Sequence, residues 1–155
     1  MYRLISLAVA TCCLACQHAS AAESLFAEGS TWETVSKGHH IVEGIASLGG
    51  GTVYVTDVAD NELVRIDPDG KETLIDDATD RANGLAFGPG GKLYSVCMSK
   101  PAVLVWDLEK GSRERIPLPS PGNDLAITAG GRLFYTWGKT HAVYELNLVT
   151  RESSK

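Results

Sequence analysis

The sequence predicts an all-β chain of β-propeller blades, each made of four antiparallel strands, with about three blades present of an expected six. Three observations carry this prediction. A 40-residue repeat runs without a gap from Glu43 onward, each repeat alternates short apolar strands with Gly-rich turns, and no long window shows the 3.6-residue apolar period of a helix.

Residues 1–21 stand apart from the repeat. They hold one early cation (Arg3), an apolar run from Leu4 to about Ala15, and Ala19-Ser20-Ala21, the layout of a secretory signal peptide cleaved after Ala21. The run is too short for a membrane-spanning helix, which needs about 20 apolar residues. A lipid anchor at Cys16 is the alternative, though Cys13 and Leu14 are badly placed for a lipobox. The expected destination is the periplasm or the medium. Cys12, Cys13 and Cys16 leave with the leader, so Cys97 stays alone and no intrachain disulfide is expected. The chain carries a formal charge of −5, which becomes one unit more negative without Arg3. With no cluster of basic residues, this excludes a nucleic-acid partner.

Residues 22–42 form an N-terminal segment in which "TWETVSKG" reads as an outer strand without a blade, the element that closes many propeller rings. Blade one follows at 43–82, blade two at 83–122 and an incomplete blade three at 123–155. "EGIASLGGGTVYVTDVADNELVRIDPDGK", "NGLAFGPGGKLYSVCMSKPAVLVWDLEKG" and "NDLAITAGGRLFYTWGKTHAVYELNLVTR" align without insertion. Each supplies an apolar strand, a Gly-Gly turn suited to positive φ, an alternating strand, a polar loop and a further alternating strand. "DPDG" is another turn, and "KETLID" after it is the fourth strand of blade one. Blade three breaks off where its outer strand is due. This is the front half of a ring that at this period needs about 240 residues, so the expectation is a truncated gene product or a half-ring that finds a partner. In the second case, Trp32–Ser36 of one chain completes blade three of the other in a homodimer.

Glu43, Asn83 and Asn123 occupy one repeat position at the start of the innermost strands, so their side chains are expected to converge at one mouth of the central channel. One carboxylate and two amide oxygens are hard donors suited to Ca²⁺. The plainer alternative is that they cap turns between blades. Arg81 has its own plain alternative, a surface arginine bridging blades through Asp77 or Asp80. Asp57 reads as a turn acceptor, Cys97 as a passive thiol and Trp106 as packing. His39 and His40 diverge in an extended segment and make a poor metal pair. His141 shares its loop position with Asn61 and Pro101, so the repeat gives it no support.

"VEGIA" (42–46), "RANGLAF" (81–87) and "SPGNDLAI" (120–127) resemble the regucalcin/gluconolactonase (senescence marker protein-like) family of six-bladed propellers over nearly all of residues 22–155, about the N-terminal half of a family member. The resemblance implies Glu43 and Asn123 as ligands of a divalent metal, Ca²⁺ in the first place with Zn²⁺ or Mg²⁺ as alternatives. It implies Arg81 and Asn83 as substrate contacts, and a small lactone or sugar-acid ligand. Ile45 replaces the family's usual proline, and Gly122 replaces another before Asn123. The family's third ligand, an aspartate that also serves as base, lies in a later blade, and Asp124 is not its equivalent. The catalytic base is therefore unknown. An NHL-type binding propeller, or a fragment without activity, is the competing reading.

Overall fold

Strand order follows directly from the repeat. The computed structural model describes residues 27–155. The predicted leader 1–21, its lipid-anchor alternative at Cys16 and the first residues of the 22–42 segment lie outside the described residues. The chain divides into two units, Met1–Glu33 and Thr34–Lys155. In the first, residues 27–33 contain a turn closed by the Ser30 N–H donating to the Ala27 carbonyl at 3.0 Å.

The second unit holds three four-stranded antiparallel sheets, each a meander in chain order. Blade one is β1 (Val42–Ala46), β2 (Val53–Asp57), β3 (Glu62–Ile66) and β4 (Glu72–Asp76). Blade two is β5 (Ala82–Phe87), β6 (Leu93–Cys97), β7 (Ala102–Asp107) and β8 (Ser112–Pro117). Blade three is β9 (Leu125–Ile127), β10 (Arg132–Trp137), β11 (Ala142–Asn147) and β12 (Ser153–Ser154). These are propeller blades, as the repeat predicts.

The two ends of the repeat differ from its interior. Residues 31–38 form no strand. A strand needs a ladder partner, and residues 34–41 instead reach blade one through side-chain bonds and one isolated backbone bond. The Ser36 hydroxyl donates to Glu72 Oε1 at 2.6 Å, and the Ile41 carbonyl accepts from Val58 N at 2.9 Å. We call this segment the strap. Blade three also begins its outer strand, since β12 pairs with β11 at Leu146↔Ser153 and Glu145↔Ser154.

Burial explains why the strands read differently. Blade two is covered on both faces, so "AVLVWD" of β7 is buried along nearly its whole length and has no polar alternation. Its outer neighbour β8 carries Arg113, Glu114 and Arg115 in the open, where charges discourage strand addition. One apolar cluster joins blades one and two through Leu63, Leu93, Leu104 and Trp106. A second joins blades two and three through Tyr94, Val103, Leu133 and Tyr135. Leu63, Leu93 and Leu104 are each at most 1% exposed, and each contributes about 2 kcal/mol of transfer free energy.

Innermost strands touch at the glycines. A Cβ on Gly44 would stand 2.2 Å from the Asn83 carbonyl oxygen, and one on Gly84 would stand 2.7 Å from Asp124 Cα. Backbone cannot yield as a flexible side chain does. Gly44→Ala and Gly84→Ala are therefore expected to cost about 2–4 kcal/mol each. Gly90→Ala, at φ +71° but with open space around it, should cost only about 1 kcal/mol. Urea unfolding of the three variants checks this, and equal losses would show that the close approach is unimportant.

Candidate functional site

The same irregularity opens blades one and two. Val42 pairs with Asp57 and Ile45 with Val55, while Ala82 pairs with Cys97 and Leu85 with Ser95. One extra residue therefore sits in β1 at Glu43-Gly44 and in β5 at Asn83-Gly84. Such bulges re-aim side chains and are frequent beside active sites. In blade three, Asn123 N donates to the Thr136 carbonyl at 2.8 Å and Thr136 N to the Asp124 carbonyl at 3.0 Å, which anchors the corresponding dipeptide.

Adjacent blades are stitched together at this level. Thr56 Oγ1 accepts from Gly44 N at 2.9 Å and donates to the Asn83 carbonyl at 2.8 Å. Gly84 N donates to the Asn123 carbonyl at 2.8 Å, and Ser95 Oγ donates to the Gly84 carbonyl at 2.7 Å. The backbones at Glu43, Asn83 and Asn123 are thus brought into one continuous seam. Their side chains differ in setting. Glu43 and Asn123 are exposed, whereas Asn83 is buried and its amide donates to Met98 Sδ at 3.1 Å.

Arg81 is not a bridge to Asp77 or Asp80. Asp80 is taken by Arg115 at 2.5 Å and Lys100 at 3.2 Å. The exposed Arg81 side chain makes no ion pair among the described residues. Asp80 and Arg81 both adopt the left-handed conformation, with φ of 54° and 58°, a strain of about 1–2 kcal/mol per non-glycine residue. Asn61 holds this turn. Its Oδ1 accepts from Arg81 N at 2.7 Å and from Thr79 Oγ1 at 3.3 Å. Asn61, Thr56 and Met98 escaped the sequence reading. Thr56 carried a signal, since the repeat places Thr136 at the same position. Asn61 acts 20 residues along the chain and carried none.

Asp57 is a turn anchor, as expected. Its Oδ2 accepts from His40 N at 2.7 Å, and its Oδ1 accepts from Ile41 N, Ala59 N and Asp60 N at 3.0–3.2 Å. Burial works against the charged carboxylate, but the N–H groups of His40, Asp60, Ile41 and Ala59 outweigh it and hold the pKa below its ordinary value. His39 and His40 do diverge. His39 lies near Ser36 and Glu72, while His40 Nδ1 meets Asp60 Oδ2 at 2.7 Å. His40, Asp57 and Asp60 bring ligand-type atoms within 4.8 Å of one another, yet the four backbone donors already occupy Asp57. His141 (φ 51°) takes the left-handed turn position that Asn61 (φ 67°) takes in blade one, a turn role. Cys97 is fully buried and its thiol is pushed up to about 12 by desolvation, so it is inert. Trp106 packs between blades one and two, with its Nε1–H donating to Asp76 Oδ2 at 2.8 Å. A cleft of about 310 Å³ at the rim, lined by Tyr54, Arg65, Trp106 and Arg113, contains none of the candidate residues. No helix among the described residues is long and apolar enough to cross a membrane.

No protein-family profile matches the sequence, and no curated protein does. Solved structures do match. A gluconolactonase from Xanthomonas campestris superposes with a TM-score of 0.67 at 18% identity, over 79% of this chain and 48% of its own. A structural-genomics target assigned as a gluconolactonase gives 0.69 at 16% identity, over 83% and 52%. An inactive variant of virginiamycin B lyase from Staphylococcus aureus, solved with quinupristin, gives 0.62 at 18% identity, over 73% and 40%. At such identities the likeness establishes the propeller fold. The chain spans about half the length of these proteins, or less.

Two outcomes follow from this geometry. A depressed Asp57 pKa stabilises the fold above the ordinary carboxylate value, about 3.9, and that contribution disappears as pH falls through the lower folded-state value. Asp57→Asn should therefore destabilise the protein at pH 7 by about 1–3 kcal/mol and flatten its acid unfolding profile below about pH 4. Circular dichroism across pH reads this directly. Arg81→Gly relieves left-handed strain and removes no ion pair, so its stability should match or slightly exceed that of the parent chain. Asn61→Ala should lose about 1–2 kcal/mol. Thermal denaturation in which Arg81→Gly proved the more damaging would refute this account of the turn.

Proposed function

We propose that this chain carries part of the site of a divalent-metal-dependent lactone hydrolase of the gluconolactonase type, exported to the periplasm or the medium. One observation carries the reading. Glu43 and Asn83 sit at bulges of consecutive innermost strands and Asn123 stands at the same repeat position ahead of the third, while the backbone N–H of Arg81, two residues before Asn83, is fixed by Asn61. The likeness to gluconolactonase structures supports it, as does the leader-like sequence of residues 1–21.

The donor set fits a hard divalent cation in kind. Glu43 supplies a carboxylate and Asn123 an amide oxygen, both exposed and free to coordinate. They fall short of the six to eight oxygens that Ca²⁺ takes, so water, substrate or another chain segment supplies the rest. When bound, the cation polarises a lactone carbonyl and lowers the pKa of water. Arg81 pairs with the developing carboxylate or with ring hydroxyls of the sugar acid. Asn83, fixed against Met98, orients the ring by hydrogen bonding. Zn²⁺ or Mg²⁺ are the alternative metals. A non-catalytic binding propeller is favoured by one observation, that Glu43 is the only carboxylate among these three positions, so none of them offers a separate base.

Hydrolysis of a δ-lactone, measured with Ca²⁺ and with EDTA, separates the two readings. Glu43→Ala and Asn123→Ala should each weaken Ca²⁺ binding and lower the metal-dependent rate at least tenfold, about 1.4 kcal/mol. Arg81→Ala should raise KM and leave Ca²⁺ affinity unchanged. Metal binding without turnover would favour the binding propeller, and neither metal binding nor turnover would sink the proposal.

A further inference from the structure

We propose that the rim cleft between blades one and two binds a small planar organic anion, a one-ring aromatic carboxylate. The cleft is separate from the residues of the mouth. Tyr54 on its wall pairs with Ala46, whereas Asp57 pairs with Val42 beside Glu43, so the cleft lies toward the opposite end of these strands. Two cross-strand pairs of an aromatic residue and an arginine line it, one from each blade. They are Tyr54↔Arg65 in blade one and Trp106↔Arg113 in blade two.

Blade packing does not require this set. Forty residues later, the same positions at the next junction hold Tyr94, Val105, Leu146 and Ser153, and Ile116 stands in the place of Asp76. Tyr94, Val105, Ile116 and Leu146 pack there within one apolar cluster. Glu114 and Arg151 join across that junction, with Oε1 and Nη2 2.9 Å apart. Their counterparts at the first junction are Leu74 and Gly111, which join nothing. Leu74 is 52% exposed, and Gly111 has no side chain although it shares the left-handed turn conformation of Arg151, with φ of 60° against 65°. The first junction therefore keeps a cleft of about 310 Å³, near the lower end of the roughly 300–1,000 Å³ typical of small-molecule sites. That is room for one ring.

The polar groups of the cleft are held ready for an anion. Asp76 accepts from Trp106 Nε1 at 2.8 Å, from Arg113 Nη1 at 2.6 Å and from Ala78 N at 3.0 Å. Arg113 Nη1 also donates to the Ala78 carbonyl at 2.9 Å, which leaves Nε and Nη2 without a partner among the described residues. Arg65 commits Nε and Nη2 to Asp67 and keeps Nη1. Asp107 stands 3.3 Å from Lys110 and 4.0 Å from Lys92. The charged lining residues and their ion-pair partners are thus four cations against three carboxylates, a local positive excess in a chain of net charge −5. Such a site favours an anion. Guanidinium N–H groups match the geometry of a carboxylate, and Tyr54, Trp106 and the exposed Leu74 give a ring an apolar, partly aromatic wall.

Calorimetric titration of the full chain with benzoate tests the site, with the Trp106 indole N–H followed by NMR as a local reporter. The expected result is saturable binding with a dissociation constant on the order of 1 mM or below, together with a shift of that indole resonance. Cyclohexanecarboxylate keeps the charge without the aromatic ring, and benzyl alcohol keeps the ring without the charge. Each should bind at least tenfold more weakly. Arg65→Gln, at a half-buried position, should weaken benzoate binding at least tenfold. Leu74→Glu combined with Gly111→Arg copies the Glu114–Arg151 pair into the first junction, where a Cβ on Gly111 meets open space, and should abolish binding. No saturable binding, either analogue binding as tightly as benzoate, or binding indifferent to both variants would each overturn the proposal. The analogue comparison uses the unmodified chain, so it stands even if a variant fails to fold.

Discussion

Main chain touches main chain between neighbouring innermost strands, and the rest of the structure depends on that contact. Gly44 lies against the Asn83 carbonyl and Gly84 against Asp124, with no room for a Cβ at either point. Such an approach fixes both the spacing and the rotation from one blade to the next. It also forces the extra residue of each strand into a bulge, which turns Glu43 and Asn83 out of the ordinary pleat. Packing and site are therefore a single constraint. A substitution that pushes the inner strands apart would displace the candidate ligands as it weakens the clusters between blades.

Much of this was legible in the sequence, for a physical reason. Each blade must offer one face to its predecessor and another to its successor, so the apolar pattern recurs with the blade and not merely with the strand. Ala46, Ala86 and Ala126 in register, each followed by a Gly pair and an aromatic residue, announce that requirement. What the repeat could not show is whatever breaks it. The strap at 34–41 has no counterpart 40 residues later, and its contacts to Glu72 and Asp57 are side-chain bonds that leave no period. The hold of Asn61 on Arg81 is equally local, since Pro101 at the next equivalent position has no side-chain oxygen. Even the ion pair expected for Arg81 was plausible from its neighbours. It fails because Arg115, on the outer strand of the next blade, reaches Asp80 first.

The chemistry was less legible than the fold because few residues of a propeller separate one activity from another. A lyase and gluconolactonases superpose on this chain about equally well, and a shared scaffold does not select among reactions. Selection rests on the mouth residues, where charge is the scarce quantity. Asn83 and Asn123 supply dipoles, and Glu43 alone supplies a formal charge. A cation held by a single carboxylate binds weakly in water, because the remaining ligands do not offset its dehydration. Strong metal binding at these positions therefore needs a second carboxylate from outside the three blades.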